Sequence, residues 1–63
     1  MRLTAFYQKL EEEFGQMKGA WIVHSHVLSR TGKTVEDSIE HEIDLSQVWF
    51  DLCDDFKIPE QRR

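Results

Sequence analysis

One cysteine and one proline occur among the 63 residues, and the cysteine's isolation already removes two ways of holding so short a chain together. Cys53 has no partner for an internal disulfide, and no set of cysteines and histidines has the spacing of a structural zinc site. No apolar run approaches the ~20 residues that a membrane helix needs. The start, Met1-Arg2-Leu3-Thr4, lacks the apolar core and small-residue cleavage site of an export signal. A free thiol without such a signal points to a reducing cytoplasm. Neither a glycine-rich phosphate loop nor a nucleophile elbow is present. Most informative is a missing charge: from Thr34 to Phe56 there is no lysine or arginine, although Glu36, Asp37, Glu40, Glu42, Asp44, Asp51, Asp54 and Asp55 all fall there.

That segment reads as two short helices joined by a tight turn, a pattern compatible with a helix-turn-helix. Phosphate binding depends on Lys and Arg displacing condensed counterions. The would-be reading face of the second of these helices (Ser46, Gln47, Phe50, Asp51 and Asp54) would meet phosphates with like charge, so direct DNA binding through it is disfavoured. The formal net charge of −4 is therefore polarised: all eight basic residues lie outside this segment, against Glu11, Glu12, Glu13 and Glu60. Those cations (Arg2, Lys9, Lys18, Arg30 and Lys33 among them) are scattered along the chain rather than clustered.

A globule of about this size buries only ~60% of the surface that its unfolded chain exposes, so packing has little to spare. Two Trp, four Phe and one Tyr supply the bulk, and self-association is one way to add to it. Thr4 is an expected N-cap, followed by Phe6, Tyr7, Leu10 and Phe14 at helical spacing, and Gly15 can end the helix in a left-handed conformation. A second helix is expected over 16–29, with Met17, Ala20, Trp21, Val23, His24, Val27 and Leu28 facing inward. Gly19 weakens it and calls for tertiary support. Thr34 with Asp37, and Asp44 with Gln47, resemble capping boxes that open helices over 35–41 and 45–56. Val35, Ser38, Ile39 and Ile43 form the inner side of the third helix. Leu45, Val48, Trp49, Leu52, Cys53 and Phe56 form that of the fourth. No alternation of period two marks a strand. The expected fold is all-α, a compact bundle of about four short helices over residues 1–63, the last two helix-turn-helix-like.

Chemistry is sparse. His24 and His26 diverge on a helix and cannot chelate one ion, and His41 could reach them only through folding. Of the three, His24 is expected at the core edge and the others on the surface. Asp51, Asp54 and Asp55 lie at i, i+3, i+4, which reads as a solvated acidic face. Cys53 lies in an apolar arc, as an inert small hydrophobe. No cofactor, metal or catalytic activity is expected. Two apolar residues fall outside their stripes, Ile22 on the second helix and Phe50 about 60° beyond Cys53 on the fourth. With Asp51 and Asp54, they are the candidate contact surface of an interaction or regulatory module for a basic protein partner. The alternatives are a nucleic-acid-binding accessory domain using the basic remainder, and a structural homo-oligomer.

The order Met1-Arg2-Leu3-Thr4, Glu13-Phe14-Gly15, His26-Val27-Leu28, Gly32-Lys33-Thr34, Val48-Trp49, Leu52-Cys53, Phe56 and Ile58-Pro59 with Arg62-Arg63 resembles a small actinobacterial family. That family is catalogued as domain of unknown function 3046. The resemblance spans essentially the whole chain. It implies a short, helical, cytoplasmic protein with no catalytic residue to carry over. Gene neighbourhood in the family implies an association with DNA repair or recombination. Tyr7, where Trp is expected, Glu42, where Gly is common, and Phe50, where a basic residue is frequent, depart from the pattern. The last two weaken a DNA-contacting role.

Overall fold

The computed structural model describes residues 1–63. Four α-helices, α1 (Leu3–Phe14), α2 (Gln16–Ser25), α3 (Val35–Glu40) and α4 (Leu45–Asp55), are followed by a short 3-10 turn over Glu60–Arg62. α1 packs on α2 and α4, and α3 packs on the same two, so the helices close into a ring. Within it lies one core of Phe6, Leu10, Ile22, Val23, Leu28, Val35, Val48, Trp49, Leu52, Cys53 and Ile58. This is the expected all-α bundle.

Each helix has a local cause. α1 starts one residue before Thr4, with Arg2 at the N-cap and no side-chain cap, so the expected Thr4 cap is not formed. Its stripe buries Phe6 and Leu10, while Leu3 and Tyr7 at the stripe's margin stay exposed. Gly15 is the whole connection to α2. Its N–H donates to Glu11 O at 2.8 Å, and its own carbonyl accepts from Gly19 N–H at 2.9 Å.

α2 departs most from expectation. It stops at Ser25, because His26–Leu28 turns extended and Val27 pairs with Thr34 in an antiparallel bridge. Leu28 N–H donates to Lys33 O, and Gly32 N–H to Leu28 O, each at 2.8 Å. Its inward face is Gly19, Ile22 and Val23. A Cβ on Gly19 would sit 3.5 Å from Leu10 Cγ, in ordinary van der Waals contact, so this position faces α1 but has room for a methyl group. Packing against α1 supports the helix despite the glycine that propensity alone would penalise.

Half of the expected Thr34 box forms: its Oγ1 accepts from Asp37 N–H at 3.1 Å, without a return bond from Thr34 N–H to the Asp37 carboxylate. Asp44 caps α4 through Ser46 N–H at 3.2 Å, one residue short of the expected box. Both α3 and α4 end in the same way. Ile43 N–H returns to Ser38 O and Glu42 N–H to Ile39 O, and Ile58 N–H returns to Cys53 O and Lys57 N–H to Asp54 O. These are paired Schellman closures that turn an isoleucine inward just past each helix. The left-handed position is held by Glu42 at φ 56° and Lys57 at φ 55°, where glycine is usual. Left-handed backbone costs a side-chain-bearing residue about 1–2 kcal/mol, part of which glycine gives back in unfolded-chain entropy. Glu42→Gly is therefore expected to stabilise the fold by about 0.5–1 kcal/mol. The check is a higher urea midpoint at unchanged slope.

Candidate functional site

α4 exposes only a narrow strip, Gln47, Phe50 and Asp54, because the rest of its circumference faces the other helices or the chain that follows it. Phe50 is 47% exposed and Asp54 stands beside it, so two of the expected contact residues share a surface. The other two do not reach it. Ile22 is fully buried, since α2 is rolled to bring Gly19 against Leu10, and the residue expected outside its stripe lies in the core. Asp51 is 5% exposed. Both its carboxylate oxygens accept from Arg30 Nε, at 2.9 and 3.0 Å, and one also accepts from Gln47 Nε2 at 3.0 Å. It anchors the 26–34 connection to α4 and is not a docking charge.

The acidic face expected on α4 is largely neutralised from within. Asp54 accepts from Arg63 Nη1 at 2.6 Å. Asp55 Oδ2 accepts from Ser29 N–H at 3.0 Å and meets His26 Nε2 at 2.8 Å. The His26 ring also packs on Phe56, with centroids 4.7 Å apart. His26 is thus a structural residue, whereas His24, expected at the core edge, is exposed. Burial alone would raise the Asp55 pKa, but the hydrogen bonds from His26 and Ser29 outweigh it and hold the carboxyl below its ordinary value. A lowered folded-state pKa adds stability above the unfolded-state value, about 3.9, and loses it as pH falls through the folded-state value. Asp55→Asn is accordingly expected to remove a portion of the acid-induced destabilisation below about pH 4, read as a flatter melting temperature against pH.

Among the cations, Arg62 pairs with Glu13 at 2.9 Å and Arg63 with Asp54 at 2.6 Å, so both C-terminal arginines are engaged. Lys9 donates to Arg63 O at 3.1 Å, and Lys18 lies over the Phe14 and Phe56 rings at 5.8 and 5.4 Å. What remains of the acidic surface is α3 and the turn after it: Asp37, Glu40 and Glu42 form no salt bridge, and Glu36 meets only His24 Nδ1, at 2.8 Å.

The two most exposed large apolar residues lie instead on α2, among the residues expected to face inward. Met17 is 88% and Trp21 54% exposed, with Ala20 and His24 exposed beside them. Next to this face a groove of about 260 Å³ opens between α1 and α2. Leu10, Gly19 and Val23 form its floor, Tyr7 and Glu11 one rim, Ala20 and His24 the other, and no lysine or arginine lines it. Sequence reasoning missed this surface because α2 is apolar almost all round. The available signal was Gly19, which marks the close-packed side and places Trp21 opposite.

No three His, Cys, Asp or Glu side chains converge as metal ligands. Cys53 is fully buried in the core, and burial pushes its thiol pKa up, away from nucleophilic use. The Gly32-Lys33-Thr34 turn commits its hydroxyl to the α3 cap, with Glu36 and Asp37 in the first turn opposing an anion. No helix is long and apolar enough to cross a membrane. No curated protein and no solved structure matches the chain. The sequence model of one family, described as "Protein of unknown function (DUF3046)", matches residues 1–61, and the chain belongs to that family.

Proposed function

We propose that the protein is a single-domain, non-catalytic interaction module of the cytoplasm that binds a basic protein partner. The observation that carries this reading is the outward face of α2. Met17 and Trp21 lie in solvent although the core closes without them, and the uncompensated carboxylates of α3 lie on the neighbouring helix. Tryptophan is, with Tyr and Arg, among the residue types enriched at binding hot spots. The Phe50–Asp54 strip of α4 is a second, smaller contact in this reading. Nucleic acid fits less well, because Arg30, Arg62 and Arg63 are tied in ion pairs and Lys9 to a carbonyl.

The test is affinity capture of the tagged chain from its native lysate with and without nuclease, with Trp21→Glu and Phe50→Glu as parallel baits. A nuclease-resistant partner lost with Trp21→Glu is expected. In purified form that substitution should weaken binding by about 30-fold or more, the scale of a hot-spot loss. Recovery that requires nucleic acid would support the DNA-accessory alternative. Partners indifferent to both substitutions would remove the interaction reading of these surfaces.

A further inference from the structure

We infer that the groove between α1 and α2 seats one face of a basic amphipathic helix, with an apolar anchor over Leu10, Gly19 and Val23 and flanking Lys or Arg against Glu11 and Glu36. This deepens the interaction-module reading and rests on it.

Size decides first. Small-molecule sites run at about 300–1,000 Å³ and enclose most of their ligand. A groove of about 260 Å³, open along its length, suits a single large side chain presented by a longer element. Its two rims run along helices. Tyr7 and Glu11 are one turn apart on α1, Ala20 and His24 one turn apart on α2, and Met17 and Trp21 continue the second rim outward. That is the geometry in which a helix docks by anchors at i, i+3 or i+4, and i+7. The floor belongs to the closed core, with Leu10 and Val23 buried, so the seat is formed before the ligand arrives.

Charge selects the partner's sign. Glu11 lines one rim, and Glu36 meets His24 of the other rim at 2.8 Å. With no Lys or Arg in the lining and a net charge of −4, an acidic helix would meet like charge at Glu11 and Glu36. A second copy of this chain has the same defect. Its own exposed α2 face offers Met17, Ala20, Trp21 and His24, and the one cation of that helix, Lys18, is turned over the Phe14 and Phe56 rings and away from the groove.

The probe is a synthetic amphipathic peptide of Leu and Lys at helical spacing, set against its Leu and Glu counterpart, both titrated into the full chain. The basic peptide should bind and the acidic one should not. Amide shifts should cluster on Tyr7–Glu11 and Gln16–His24. Ala20→Arg, at an exposed rim position, should weaken binding by at least about 10-fold, whereas Glu40→Lys with Glu42→Lys, acidic but off the groove, should weaken it less than about 3-fold. Circular dichroism confirms that each variant folds. Absence of basic-peptide binding, shifts confined to α3 or α4, or equal losses in the two variants would each overturn the groove as the seat. So would a dimer that dissociates with Ala20→Arg, which would assign the groove to a second copy. The capture with Trp21→Glu reads the broader interaction proposal separately, since a nuclease-resistant partner lost there would survive any of these results.

Discussion

Trp49→Ala is expected to remove a large part of the stability of the fold at 25 °C. Trp49 is 1% exposed, packs edge-on against Phe6 with centroids 5.9 Å apart, and lies beneath Lys9 Nζ at 5.8 Å. Its Nε1–H donates to Arg63 O at 3.1 Å, tying the last residues to the centre of the molecule. Truncating a buried tryptophan typically costs about 3–5 kcal/mol, because the surrounding core cannot collapse fully into the space. At ~0.05–0.15 kcal/mol per residue, a domain of this length holds roughly 3–9 kcal/mol in all. The loss therefore takes a large part of the reserve, and a urea midpoint moved far toward zero is the expected readout. Trp49→Phe keeps most of the ring and leaves Lys9 as a donor to Arg63 O. It should cost about 0.5–1.5 kcal/mol for the lost hydrogen bond, plus a small cavity, and still unfold cooperatively. A Trp49→Ala variant with an undisturbed melting transition would contradict this account of the core.

The second large effect is at Gly15. The chain passes from α1 to α2 through this residue at φ 85° and ψ 164°, a region essentially closed to residues with a Cβ. Gly15→Ala is expected to cost about 1–3 kcal/mol. Nothing lies within 4 Å of the added Cβ, so the penalty is one of backbone conformation and not of crowding. Relaxing it would disturb the hydrogen bonds to Glu11 O and from Gly19 N–H, and with them the angle between two helices. A chemically synthesised chain with D-alanine at this position separates the two causes. Its mirror-image preference suits the observed φ, so it should melt close to the parent while the L-alanine chain melts well below it. Equal melting of the two alanine chains would place the cost elsewhere.

Much of this fold was legible because α1, α3 and α4 have polar flanks and one apolar side. Val35 and Ser38 face inward as their spacing requires, and Leu45, Val48, Trp49, Leu52, Cys53 and Phe56 do the same. The second helix was not legible in the same way. Apolar residues at Met17, Ala20, Trp21, Ile22 and Val23 leave no polar side to choose against, and a stripe drawn through Trp21 left Ile22 outside it. The structure turns Gly19, Ile22 and Val23 inward and leaves the tryptophan outside. Val27 and Leu28 continue a helical pattern locally, yet their partners Thr34 and Lys33 lie across a loop, and pairing with them wins. The candidate site was half legible for the same reason. Phe50 and Asp54 are where a helical wheel puts them. Asp51 is withdrawn by Arg30, 21 positions away, which no local pattern could show.

The placement of the two tryptophans, one in the core and one in solvent, makes the chain its own optical instrument. Trp49, 1% exposed, should emit as a buried indole shielded from iodide, whereas Trp21, 54% exposed, should emit to the red of it and be open to quenching. Trp21→Phe leaves a signal that shifts to the red only when the fold opens. Trp49→Phe leaves one that unfolding alters little, but that moves to the blue when something covers α2. Loss of the fold and occupancy of the surface, which share a single trace in the parent protein, thereby become two separate colours.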